Sequence, residues 1–156
     1  MTKMNGSRLS ETSRVAEIGL GRRLRRTHLA FSHGLRIELR KNGFTFGQFV
    51  HLERLWDEDG LTQAELSSRV GVQMASSTSV LVELEELGLI RRNRSAEDRR
   101  KVIVHLTDAG RAAREPMLKR VKAANRAARK GMSPEEIQIL FSLLDRAHAS
   151  LQAHYV

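Results

Sequence analysis

The stretch Gly88–Leu106, Gly-Leu-Ile-Arg-Arg-Asn-Arg-Ser-Ala-Glu-Asp-Arg-Arg-Lys-Val-Ile-Val-His-Leu, decides the fold. Two β-prone runs, Leu89–Arg92 and Lys101–Leu106, flank an eight-residue polar tip. Alternation and β-branched residues make the second run a strand, and the polar tip makes the pair a hairpin. Six basic residues stand against two acids between Arg91 and Lys101. Taken alone, such a run reads equally well as a solvated loop. The segments on either side remove that ambiguity.

Upstream, Thr45-Phe46-Gly47-Gln48 and Thr62-Gln63-Ala64-Glu65 both have the capping-box form, a hydroxyl followed three residues later by Gln or Glu. The first opens a helix carrying Phe49, Leu52, Leu55 and Trp56, ending near Asp59-Gly60. The second opens a short helix, Thr62 to Val70, with Leu66 and Val70 inward. Gly71-Val72 turns the chain into a further helix, from about Met74 to Leu87, whose inner face is Val80, Leu81, Leu84 and Leu87. Gly88 is placed to end it as the residue after the C-cap. Two helices joined by a tight turn and followed by a basic hairpin make a winged helix-turn-helix.

Downstream, Thr107 caps a long helix from about Asp108 to Lys130, with a kink expected near Pro116. Ser133-Pro134-Glu135-Glu136 starts the last helix, whose stripe is Ile137, Leu140, Leu144, Ala147 and Leu151. At the other end, residues 1–12 read as polar and irregular. A helix from about Ser13 to Lys41 follows, with Val15, Ile18, Leu24, Phe31, Leu35 and Leu39 at helical spacing. The expected fold is mainly α with a small β-hairpin wing. Residues 13–44 and 107–156 form a helical dimerisation part around a winged domain at 45–106.

Composition narrows the chemistry. The 156 residues include 27 Lys plus Arg against 18 Asp plus Glu, a formal charge of +9. A basic domain of this size suits a polyanion, because neutralising phosphates releases counterions. There is no cysteine, which excludes disulfides, thiolate metal sites and thiol redox switches. No apolar run is long enough to span a membrane, and the first residues lack a signal-peptide core, so a cytoplasmic protein without membrane contact is expected. No Gly-rich phosphate loop or catalytic His–carboxylate order is present, so neither an enzyme nor a bound cofactor or metal is expected. The acids Glu53, Asp57, Glu58 and Asp59 read as a solvated helix end.

The block Thr45–Gly110 resembles the MarR family of bacterial transcription regulators. The residues that carry the resemblance are Leu61-Thr62-Gln63-Ala64-Glu65-Leu66, Gly71-Val72, Leu84-Glu85-Glu86-Leu87-Gly88-Leu89-Ile90, Asp98-Arg99-Arg100 and Leu106-Thr107-Asp108-Ala109-Gly110. The flanking helices match in order and length. The resemblance implies a homodimer whose first helix and last two helices interleave, a repressor acting on operator DNA, and an effector bound between the dimerisation helices and the DNA-binding lobe. Two positions depart from the pattern. Ser79 stands where an arginine is usual, and Ser77 stands where an apolar residue is usual. Ser77 should therefore pack less well or bond back to the preceding turn.

On duplex DNA, the exposed start of the recognition helix offers Gln73, Ala75, Ser76, Thr78 and Ser79 to base edges. In the wing, Arg94 and Arg100 are the minor-groove candidates. The resemblance implies that Asp98 holds Arg100. Arg91, Arg92, Arg99 and Lys101 are then phosphate contacts. For an aromatic acid, candidate residues are His28 and Phe31, with Phe49, His51 and the basic Arg22, Arg25 and Arg26 nearby. The run Lys119–Lys130, six basic residues and no acid, admits an acyl-coenzyme A class ligand or a solvated face. Two rival functions remain at this point. An architectural DNA-binding protein would show no sequence preference, and a helical adaptor would show no salt-dependent DNA binding.

Overall fold

The computed structural model describes the backbone of residues 6–155 and the side chains of residues 19–155. The chain runs α1 (Gly6–Arg40), α2 (Phe46–Asp57), β1 (Leu61–Thr62), α3 (Gln63–Val70), α4 (Met74–Glu86), β2 (Ile90–Arg94), β3 (Val102–Leu106), α5 (Asp108–Ala112), α6 (Arg114–Ala128) and α7 (Pro134–Tyr155). Local sequence explains most of these boundaries. Thr45 and Thr62 form reciprocal capping boxes with Gln48 and Glu65. Thr107 accepts from Gly110 N–H, and Ser133 and Glu136 cap each other. Each satisfies backbone groups that a helix start leaves open. Gly88, at φ 68, closes α4: its N–H reaches Glu85 O while Leu89 N–H reaches Leu84 O. That pair of bonds is the Schellman motif.

The wing hairpin is part of a three-stranded sheet of order β1-β3-β2, antiparallel throughout. The third strand was not expected, because Leu61 and Thr62 form a strand only by pairing with Val104 and Ile103. Three further expectations need correction. Residues 6–12 are helical, since no proline interrupts the sequence before Pro116; residues 1–5 and the side chains of Val15 and Ile18 lie outside the described residues. The helix after the wing breaks at Ala113, which places Pro116 in the first turn of α6, where its missing N–H costs least. Leu87 is 54% exposed, because it caps α4 and the chain turns at Gly88 to bury Leu89 instead.

One core joins the winged lobe to the end of α1. It consists of Leu35 and Leu39 of α1, Phe49, Leu52 and Leu55 of α2, Leu61, Leu66, Leu81, Leu84, Leu89, Ile90, Val104 and Leu106, with Met117 and Ala124 of α6. Val70 and Val80 lie half-buried at its edge. Burial of each such Leu contributes about 1.5–3 kcal/mol relative to exposure. α7 is different: it buries no residue fully against the rest of the chain.

Candidate nucleic-acid interface

The recognition helix α4 is held on its inner face by polar bonds. His51 is 2% exposed; its Nδ1 lies 2.7 Å from Gly47 O and its Nε2 3.0 Å from the hydroxyl of the fully buried Ser77. The Gly47 carbonyl can only accept, which assigns the proton to Nδ1 and leaves Nε2 to accept from Ser77 Oγ. Ser77 therefore bonds across to α2, not back along its own helix. A second tie runs from Gln48 Nε2 to Glu83 Oε2 at 3.0 Å. On α3, Gln63 Nε2 donates to Thr78 Oγ1 at 2.5 Å, while Thr78 donates to Met74 O. Thr78 is thus half-buried and already engaged. Gln73, Ala75, Ser76 and Ser79 are exposed, and the Gln73 side chain makes no capping bond.

Burial lowers the pKa of His51 from 6.5, against a smaller raising effect of the Gly47 carbonyl. The unfolded chain then takes up the proton first as pH falls. Stability is full above about pH 6.5 and declines as pH drops from there toward the folded-state value. A lower urea midpoint at pH 5.5 than at pH 7.5, a step that His51→Gln flattens, is the expected result.

The wing tip is a bonded loop. Ser95 Oγ accepts from Glu97 and Asp98 N–H, and Ser95 N–H and Lys101 O close its neck at 2.9 Å. Asp98 Oδ1 accepts from Arg100 N–H at 3.1 Å and Arg100 Nε at 3.2 Å. These bonds, the side-chain one foremost, hold the Asp98 carboxyl below its ordinary range. Arg100 itself is 91% exposed, steered at its base and open at its tip. Arg91, Arg94, Arg99 and Lys101 are exposed as well. Arg92 is not a free cation: its Nε and Nη2 lie 2.9 and 2.7 Å from Glu85 Oε2 of α4.

The effector candidates divide. An apolar cavity of about 690 Å³ bounded by α1, α6 and α7 is lined by Leu24, His28, Phe31, Ile37, Ala124 and Leu144, among others. His28 and Phe31 belong to it. Phe49 and His51 do not, because both side chains are buried in the core at 3% and 2% exposure. Arg22, Arg25 and Arg26 are exposed along α1 outside the lining. The basic run of α6 borders a separate, smaller hollow with Lys119, Arg120, Lys122 and Arg126. Arg120 there is already bonded to Asn42 and near Glu38.

Sequence reasoning missed the acid at the wing root. Asp59 Oδ1 accepts from Leu106 N–H at 2.9 Å, and Asp59 Oδ2 lies 2.9 Å from Arg111 Nη1. Burial pushes its pKa up, but the bonds from Leu106, Arg111 and Gly60 outweigh that and leave it lowered. Its neighbours are also paired, Glu58 with Arg69 and Asp57 with Arg54. No local signal marks these contacts; Asp59 and Leu106 are 47 residues apart. Among the described residues, no helix is long and apolar enough to cross a membrane, and no group of three or more His, Asp or Glu is placed to hold a metal ion.

The winged lobe has known counterparts. A family model described as MarR family matches residues 44–102. The chain is 36% identical over 88 residues to the HTH-type transcriptional regulator TtmR of Methylorubrum extorquens, covering 56% of this chain but 45% of that protein. It is 30% identical over 108 residues to the HTH-type transcriptional regulator MgrA of Staphylococcus aureus, covering 69% of this chain and 71% of MgrA. Among solved structures, Bordetella bronchiseptica BpsR, whose DNA binding is regulated by 6-hydroxynicotinic acid, superposes with a TM-score of 0.74 at 26% identity, over 83% of this chain and 98% of that one. These relatives are regulators and not enzymes. The chain belongs to the MarR family of DNA-binding transcriptional regulators.

Proposed function

We propose that this chain is a sequence-specific repressor that binds a pseudo-palindromic operator as a homodimer in the cytoplasm, with residues 45–106 on DNA and residues 13–44 and 107–156 in the dimer. The observation that carries the reading is the pairing of a small-residue recognition helix with a bonded, basic wing. Exposed Ala75, Ser76 and Ser79 permit a close approach to the major-groove floor but offer few strong base contacts. Much of the affinity then rests on Arg94 and Arg100 in the minor groove and on Arg91, Arg99 and Lys101 at phosphates. Arg92 contributes through Glu85. Two-fold symmetry sets the half-sites about one helical turn apart, roughly 34–36 Å.

A small anionic or aromatic effector adjusts this affinity, which is supported by the apolar cavity beside His28 and by the regulation known for BpsR. Such a ligand acts only if it favours one spacing of the recognition helices over another. One experiment covers these claims. Duplexes selected from a random pool by the wild-type protein are titrated with wild type and Arg100→Ala, with and without aromatic carboxylates. Loss of one groove contact should weaken binding by about 1–3 kcal/mol. Preference for the selected duplex over random DNA should reach about 10³-fold. Equal affinity for both duplexes would mean an architectural protein instead, and indifference to every carboxylate would remove the effector.

A further inference from the structure

The wing sheet leaves a backbone amide without a strand partner on each side, and each meets a carboxylate, one from the end of α4 and one from the loop after α2. On the outer edge of β2, Arg92 N–H donates to Glu85 Oε1 at 2.9 Å, and the Arg92 guanidinium grips Glu85 Oε2. On the opposite side, β1 pairs with β3 for only two residues, Leu61 with Val104 and Thr62 with Ile103. Continuing that register by two residues sets Asp59 opposite Leu106. The backbone cannot follow, because Gly60 turns away at φ 80. The Asp59 side chain supplies the missing acceptor for Leu106 N–H at 2.9 Å, and Arg111 Nη2 bonds Leu106 O at 3.1 Å. Unpaired edge groups would otherwise leave the strands free to twist or slide.

We propose that Asp59 and Glu85 are positioning residues for DNA binding: carboxylates that stand in for strand neighbours and fix the wing at one angle to the recognition helix. This rests on the reading that the wing touches DNA. Glu85 lies in the last turn of α4, so it ties β2 directly to the helix that enters the major groove. Asp59 follows the end of α2 and ties β3 to both α2 and, through Arg111, α5. Neither carboxylate needs to meet DNA. Both are held below their ordinary pKa range, so both stay charged where the protein works. Arg92 illustrates the division of labour: a cation in the wing whose partner is inside the protein.

The test uses full-length wild type, Asp59→Ala, Glu85→Ala and Arg100→Ala on one duplex selected by the wild-type protein. Amide exchange of Arg92 and Leu106 in the free protein reports the clamps. Hydroxyl-radical protection reports the wing in the minor groove, and guanine methylation protection reports α4 in the major groove. The expected result is faster exchange at the affected amide, lost wing protection, retained α4 protection and about ten-fold weaker binding, less than or equal to loss of a direct contact. Unchanged exchange overturns the proposal, as does faster exchange with an intact wing footprint. Parallel fading of both footprints also overturns it, since that marks general loosening. Glu85 is partly exposed, so Glu85→Ala decides the matter should Asp59→Ala fail to fold. If Arg100→Ala leaves wing protection and affinity unchanged, the wing-on-DNA reading fails, whatever the amides report.

Discussion

Replacing Leu144 and Leu151 by Asp in one chain yields a monomer in sedimentation and lowers operator affinity by about 10²–10⁴-fold. The reason lies in α7. Ile139, Phe141, Leu143 and Leu151 are 59%, 51%, 52% and 52% exposed, and Leu20, Leu29 and Ile37 of α1 are exposed alongside. A helix that is apolar around much of its circumference needs to be covered. In the proposed homodimer a second copy would cover these faces reciprocally, as two-fold symmetry requires. Two charges in that seam remain desolvated and unpaired, at a cost that exceeds the contact they replace. Without a dimer, the second half-site is no longer held close to its reader. Binding of one lobe to a single half-site duplex should be unchanged, which separates this effect from unfolding. A double variant that still sediments as a dimer rules out α7 as the dimer face.

Gly110→Ala is the second large effect. A Cβ at Gly110 would stand 2.0 Å from Leu89 O, 3.0 Å from Leu89 C and 3.2 Å from Leu106 Cδ2. The first two atoms are backbone and cannot rotate away. Gly110 also accepts from Trp56 Nε1 through its carbonyl at 3.0 Å, so α5 is fixed against α2 on its other side. A methyl group here must push α5 off the foot of the wing, separating Leu89 and Leu106 from the core they share. Overpacking of this kind costs about 3 kcal/mol or more. For a chain of this length, that corresponds to a fall in Tm of roughly 6–12 °C, measurable by circular dichroism. A drop of less than about 2 °C would mean that α5 has slack the contacts do not show.

What the residues revealed in advance follows the reach of the interactions. Thr45, Thr62, Thr107 and Ser133 cap helices through bonds spanning three residues, and each was readable from its neighbours. Gly88 and the Lys101–Leu106 strand were readable for the same reason. Asp59 was read as a solvated end, although it bonds Leu106 and Arg111, 47 and 52 residues away. Arg92 was read as a phosphate contact, although it is neutralised by Glu85 seven residues earlier, across the α4–β2 turn. Phe49 and His51 count as neighbours of the first helix's His28 and Phe31 in the sequence, but the packing of α2 buries both in the core. Helical periodicity identifies an apolar face but not the partner it meets.

The buried His51–Ser77 bond has a consequence for how such a regulator can be switched. An entirely aliphatic seam between α2 and α4 would tolerate small rotations, since one methyl group replaces another at little cost. Here any rotation of α4 about its axis strands an imidazole nitrogen and a hydroxyl in an apolar interior, at about 1–3 kcal/mol for each orphaned group. The seam therefore has a single register. In the proposed effector-responsive dimer, a signal at the helical arms would then have to carry α2 and α4 as one rigid body, changing the distance between the two DNA readers and not the face that either presents.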